Sequence, residues 1–137
     1  MQRKVLLSKI HRATVTHADL DYEGSVSLPP ELMDAAGLDE YEAVSIWNVT
    51  RGTRLETYAI IGETGSTDIS VNGAAAHHMK PGDLVIIACF GYIDNDQVAD
   101  HEPKLIFVDE NNHMKELRKE VPGPLPSPAV ESGLSSL

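Results

Sequence analysis

Apolar and polar residues alternate in short runs along most of the chain, and turn-forming clusters separate the runs, which predicts β-strands rather than helices. Residues 4–16 read as a first strand, rich in the β-branched side chains Val5, Ile10, Thr14, Val15 and Thr16. On strict alternation Lys9, His11, Ala13 and Val15 share one face of it. The stretch 17–25 is dense in Asp, Tyr and Gly and predicts a turn, after which 25–28 resumes extended structure. Pro29-Pro30 opens a short helix over 31–36, since proline is tolerated in a first turn and Gly37 is a natural terminator. Strands are expected at 43–49, 54–61 and 68–71, divided by glycine-bearing breaks at 50–53 and 62–66. Lys80-Pro81-Gly82-Asp83 has the residue order of a type II turn. A strand apolar on both faces follows at 84–90, then a helical turn at 94–100 and a last strand at 104–109. Many short strands with few helices point to a mainly β fold, a small barrel with short helices.

The 137 residues fit one domain, enough chain to remove about two-thirds of the unfolded surface from water. That domain is placed at 1–120. Beyond Glu120 the run Pro122-Gly123-Pro124-Leu125-Pro126-Ser127-Pro128 and the small polar residues after it cannot offset their ordering entropy, so 121–137 is expected to be a mobile tail. Arg3, Lys4, Lys9 and Arg12 precede any acid, as in organelle transit peptides, but their β-branched neighbours favour a strand.

Charge narrows the partners. With 21 acidic against 11 basic side chains and a formal net charge of -10, the summed field repels phosphate backbones, so nucleic acid is not an expected partner. No apolar run approaches the ~20 residues that span a bilayer, so no membrane is expected either. The single cysteine, Cys89, lies inside an apolar run and reads as a small buried hydrophobe in a reduced, cytoplasmic setting. Six histidines lack the spacing of a tetrahedral zinc site, and no metal is assigned. Phosphate loops and the Gly-x-Ser-x-Gly elbow do not occur, and the sequon at Asn48-Val49-Thr50 has nothing beside it that directs secretion.

Two segments remain open on residue chemistry alone. Asn72-Gly73-Ala74-Ala75-Ala76-His77 is a hairpin turn, or a loop whose small side chains let a ligand approach the backbone N–H groups, with the Asn72 amide as a further donor. Gly24-Ser25 is a turn, or something more.

Several blocks decide between these alternatives: Lys9-Ile10-His11-Arg12, Val15-Thr16-His17-Ala18-Asp19-Leu20, Tyr22-Glu23-Gly24-Ser25, Ile46-Trp47-Asn48-Val49, Thr57-Tyr58-Ala59-Ile60, Val71 to His77 and Gly82-Asp83-Leu84-Val85-Ile86. In this order, across residues 1 to 120, the sequence resembles the bacterial pyruvoyl-dependent aspartate 1-decarboxylases. The resemblance implies self-cleavage between Gly24 and Ser25, giving fragments 1–24 and 25–137. Ser25 attacks the Gly24 carbonyl, an ester replaces the amide, elimination expels the Gly24 carboxylate, and hydrolysis leaves a covalent pyruvoyl group in place of Ser25. That group forms a Schiff base with L-aspartate and takes up the electrons released with CO2, as pyridoxal phosphate does elsewhere. The product is β-alanine for pantothenate and coenzyme A synthesis.

The same resemblance assigns Lys9 and Arg54 to the substrate carboxylates and Tyr58 to proton donation after CO2 loss. It assigns Thr57 to the Gly24 oxyanion during processing and Tyr22 and Asn72 to ordering the precursor loop. His11, Trp47 and the backbone of Gly73, Ala74 and Ala75 would line the pocket. Since Thr57 alternates away from Arg54 and Tyr58, a bulge or loop near Glu56 is expected. It further implies a double-psi β-barrel and a homotetramer with sites between subunits, and leaves open a maturation factor. The competing readings are a non-catalytic barrel in which Gly24-Ser25 is an uncut turn, and a decarboxylase for glutamate or another amino acid.

Overall fold

The computed structural model describes residues 1–121, so the tail expected from 121 onward lies, Val121 apart, outside the described residues. Among these, the strands are β1 (Gln2–Thr14), β2 (His17–Asp19), β3 (Ser25–Leu28), β4 (Ala43–Asn48), β5 (Arg54–Ile61), β6 (Ser70–Asn72), β7 (Leu84–Asp94), β8 (Lys104–Val108) and β9 (Met114–Leu117). One helix, α1 (Pro30–Ala36), and 3-10 turns at Gly73–His78 and Asn95–Asp100 complete them. Neighbouring strands follow the order β2-β6-β3-β5-β4-β7-β1-β8-β9. The β1–β8, β2–β6 and β3–β5 pairs are parallel and the rest antiparallel. The fold is mainly β with short helices; along this order the sheet is not closed among the described residues, and it is compatible with a double-psi barrel. No helix among them is long and apolar enough to cross a membrane.

The first strand departs from simple alternation. Its pairing with β7 slips between Leu6 and Ser8 and again between Ile10 and Ala13, and Arg12 takes a left-handed φ of 61° at the second slip. Ile10, Ala13 and Val15 consequently all enter the core, so Ala13 and Val15 do not share the face of Lys9 and His11. The strand ends at Thr14, and Val15 instead exchanges backbone bonds with the 80–83 turn, donating to the Asp83 carbonyl (2.9 Å) and accepting from the Gly82 N–H (2.7 Å). The type II geometry holds, with Gly82 at φ 93°.

α1 covers one end of the core with Leu32, Met33 and Ala36. Pro30 sits in its first turn, and Gly37 at φ 69° ends it with its N–H on the Asp34 carbonyl. The core joins Ile10, Val26, Leu28, Ile46, Ile69, Val71, Ile87 and Ile106. Two buried polar residues tie loops to it. Asn112 accepts from the Thr14 N–H (2.8 Å) and donates to the Thr14 and Thr67 carbonyls, and so acts as one more strand partner for the end of β1. The Asp83 carboxylate accepts from Arg51 Nε (2.6 Å), Asn48 Nδ2 (2.9 Å) and the Lys80 N–H (3.0 Å). Asn48 is thereby buried, which rules out the sequon on structural grounds as well. Cys89 is buried beside Glu42, and burial together with that carboxylate pushes its thiol up to about 11, so it stays protonated and unreactive.

Candidate active site

β3 begins at Ser25 and runs between β6 and β5. On one side Ser25 pairs with Asn72, whose Nδ2 reaches the Ser25 hydroxyl at 3.5 Å. On the other side the parallel register pairs Val26 with Ala59. The paired residues are Val26 to Leu28 with Ala59 to Ile61. Ser25 is only 6 % exposed, while Tyr22, three residues earlier, is 67 % exposed. The chain therefore dives from a surface loop into the sheet at the Gly24-Ser25 bond.

Gly73, at φ 66°, opens the 3-10 turn directly against the backbone of Gly24. A β-carbon at Gly73 would meet the Gly24 Cα at 2.6 Å, its nitrogen at 2.7 Å and the Tyr22 carbonyl oxygen at 3.0 Å. Tyr22, Gly24, Ser25, Asn72 and Gly73 thus form one cluster. Of the next residues in the turn, Ala75 is half-buried and packs on the core, whereas Ala74 is exposed.

β5 carries the second group. Five successive pairs from Ala43–Tyr58 to Trp47–Arg54 run without a slip, so the bulge expected near Glu56 does not occur. Strict alternation stands, with Arg54, Glu56 and Tyr58 on the outer face and Leu55, Thr57 and Ala59 turned toward the core side. Directly paired residues share a face, so Trp47 lies on the outer face with Arg54, and the guanidinium stands 5.3 Å from its ring centre. Tyr58 lies 6.0 Å from the ring of Tyr41.

Lys9 and His11 form a third group. Lys9 falls in one row with Ala88, Ser45 and Glu56 across β1, β7, β4 and β5. Two strands, β4 and β7, therefore lie between the Lys9 strand and that of Arg54 along the sheet. Lys9 and Arg54 stand on strands that are not paired with each other. His11 packs edge-on against Phe107 with ring centres 5.2 Å apart, and its Nδ1 is buried with no hydrogen-bond partner among the described residues. Burial first, then the charges of Lys9 and Arg12, hold its pKa below the usual histidine value and keep the ring neutral.

A residue that the sequence did not single out completes this group. The Lys9 ammonium donates to the carboxylate of Glu120, which also stays below the ordinary range, chiefly because of that bond. Arg118 lies over the Phe107 ring at 3.8 Å beside it. The two partners are 111 positions apart, and no spacing or periodicity links them.

The aspartate decarboxylase family model matches residues 1–115. An aspartate 1-decarboxylase of Legionella pneumophila (strain Lens) is 64% identical over 118 residues, covering 86% of this chain and 89% of that protein. Proteins of the same name from Rhodopirellula baltica and Myxococcus xanthus are each 55% identical, over 89% and 90% of this chain and 78% and 96% of their own lengths. Among solved structures, a computationally designed protein aligns with a TM-score of 0.42 at 19% identity, over 62% of this chain and 96% of that one. The sequence relationship runs through the Gly24-Ser25 cluster and both outer-face strands alike, and on its extent the chain belongs to the aspartate decarboxylase family.

Proposed function

We propose that this chain is an aspartate 1-decarboxylase that matures by cutting its own Gly24-Ser25 bond and then converts L-aspartate to β-alanine and CO2, for pantothenate and coenzyme A synthesis in the cytoplasm. The family relationship carries the activity. The observation that supports the self-cleavage is the seating of Gly24 against Gly73, with a half-buried amide, Asn72, on the Ser25 hydroxyl.

These surroundings fit a pyruvoyl group at position 25. The residue there is a serine, its side chain is held in a polar contact, and the neighbouring backbone is glycine or alanine. Such a group supplies an electron sink adjacent to the carboxylate that leaves. The chain's own residues do the rest. Before cleavage, Thr57 donates to the Gly24 carbonyl as charge builds on it, and Asn72 steadies the Ser25 hydroxyl. Tyr22 anchors the precursor loop. After cleavage, Arg54 holds the retained carboxylate of aspartate through two parallel hydrogen bonds, with Trp47 stacked on the guanidinium to fix its plane. Tyr58 stands on the same face as Arg54 and delivers the proton that replaces CO2. Lys9 supplies a second fixed positive charge, His11 a neutral wall, and Gly73, Ala74 and Ala75 a backbone lining.

The placement of Lys9 and Arg54 on strands that are not neighbours supports a site shared between subunits of a homotetramer. So do the exposed aromatic and aliphatic side chains Tyr41, Tyr58, Ile61, Phe90 and Tyr92, which would be covered in an assembly. We assign catalysis to a domain over 1–120. A separate maturation factor would act on the exposed loop that ends at Gly24.

Intact mass and product analysis test the proposal together. The aged protein is expected as fragments 1–24 and 25–137, the second with a pyruvoyl end, forming β-alanine from aspartate and negligible product from glutamate. A chain that stays whole in the presence of host-cell extract and releases no CO2 from aspartate overturns it.

A further inference from the structure

Of the eleven Lys and Arg side chains, only Lys9 is buried. An ammonium taken out of water needs an anion beside it. The anion present is Glu120, and the two partners are placed very differently: the Lys9 side chain is 10% exposed and the Glu120 side chain 56%. The cation is fixed in the sheet, whereas the carboxylate approaches from outside. Glu120 also borders a cleft of about 520 Å³ formed with His101, Glu102, Leu105 and Lys119, which gives it room to withdraw. The contact therefore has the form of a ligand in a subsite, with a carboxylate of the chain as the ligand.

We propose that Glu120 is an internal competitor for the substrate: its carboxylate fills the Lys9 subsite in the resting enzyme, and a carboxylate of aspartate must displace it. This rests on the reading above that Lys9 contacts substrate. A group tethered on the same chain acts at an effective concentration of the order of millimolar. Enzyme KM values commonly lie between about 1 μM and 1 mM. A competitor at that effective concentration is strong enough to set the apparent affinity and leave the chemical step alone.

The test uses the self-cleaved, full-length enzyme and succinate, a dicarboxylate that has no amino group to react. E120Q keeps an oxygen to accept from Lys9 and so keeps the fold, but removes the competing charge. It is expected to lower the KM for aspartate and the Kd for succinate together, by about threefold to tenfold, with kcat unchanged, and E120D is expected to restore both toward wild type. Lys9→Met is expected to weaken succinate and to cancel the effect of E120Q in the double variant. If Lys9→Met weakens succinate while E120Q changes neither constant, or lowers only the melting temperature, the competition is overturned and the role of Lys9 in binding survives. If succinate binding is indifferent to Lys9→Met, the role of Lys9 falls and the competition with it.

Discussion

Gly73 presses on Gly24 backbone to backbone, so closely that no side chain fits between them: an added methyl would come within 2.6 Å of the Gly24 Cα. Neither partner can yield as a flexible side chain would. Gly73 also holds φ 66°, where other L-residues are disfavoured by about 1–2 kcal/mol. Gly73→Ala is therefore expected to push the precursor loop off its seat and to slow or block cleavage at Gly24-Ser25. Intact mass over a time course reads this directly. Ala74→Gly, one residue on at an exposed position, serves as the control and is expected to cleave at the wild-type rate.

Thr57 makes a sharper test of processing. It faces the core side of β5, two residues before Ala59, whose partner Val26 lies two residues after Gly24. If its hydroxyl stabilises charge on the Gly24 carbonyl, Thr57→Val, nearly the same in shape, is expected to slow cleavage about a hundredfold or more, as loss of an oxyanion donor typically does. Thr57→Ser keeps the hydroxyl and is expected to cleave. Equal cleavage by the two variants would remove Thr57 from the processing machinery.

What could be read in the sequence divides along physical lines. The bounds of β5 were legible because a glycine-bearing break stands on either side of it, although the bulge expected inside it does not occur. α1 was legible from Pro30 and Gly37, which fix the two ends of a helix by backbone chemistry alone. β9 was not, since Met114, Lys115, Glu116 and Leu117 are all exposed and bury no face that could leave a pattern. The two slips of β1 against β7 were hidden too: alternation assumes a regular strand, and the slip at the left-handed Arg12 reverses it for Ala13 and Val15. In the site, the resemblance supplied the names of the residues, but the contacts depend on register between distant strands. The pairing of Ser25 with Asn72 and of Lys9 with Glu120 spans 47 and 111 positions, and no local pattern encodes either.

Asp83 gives a prediction about stability. Burial raises the pKa of its carboxyl, but the hydrogen bonds from Arg51, Asn48 and the Lys80 N–H outweigh this, and the net shift is below the ordinary value of 3.8. A carboxyl held low in the folded state contributes stability that is present above its unfolded pKa and is lost as pH falls through the folded one. Asp83→Asn is expected to cost about 1–3 kcal/mol near pH 7, the range for charged hydrogen bonds, reduced by the solvent exposure of Arg51. The gap between variant and wild type should narrow below about pH 4. Urea unfolding at pH 7 and pH 3 measures it, and a gap of constant size would mean that the charge of Asp83 contributes nothing.

Tyr58 separates maturation from turnover. Its outward direction on β5 takes it away from the side that Thr57 faces and onto the face of Arg54 and Trp47. Removing its hydroxyl should leave cleavage intact and impair only the later proton delivery. Tyr58→Phe keeps the ring that stacks near Tyr41, so the strand and its neighbours should hold their places. The variant is expected to appear as fragments 1–24 and 25–137 while kcat falls about a hundredfold to ten-thousandfold, the usual contribution of a positioned acid. CO2 release and β-alanine formation should be measured separately. With the proton donor missing, CO2 loss can outrun β-alanine formation, whereas loss of substrate binding would depress both equally. Full activity in Tyr58→Phe would assign the proton to another group on the same face.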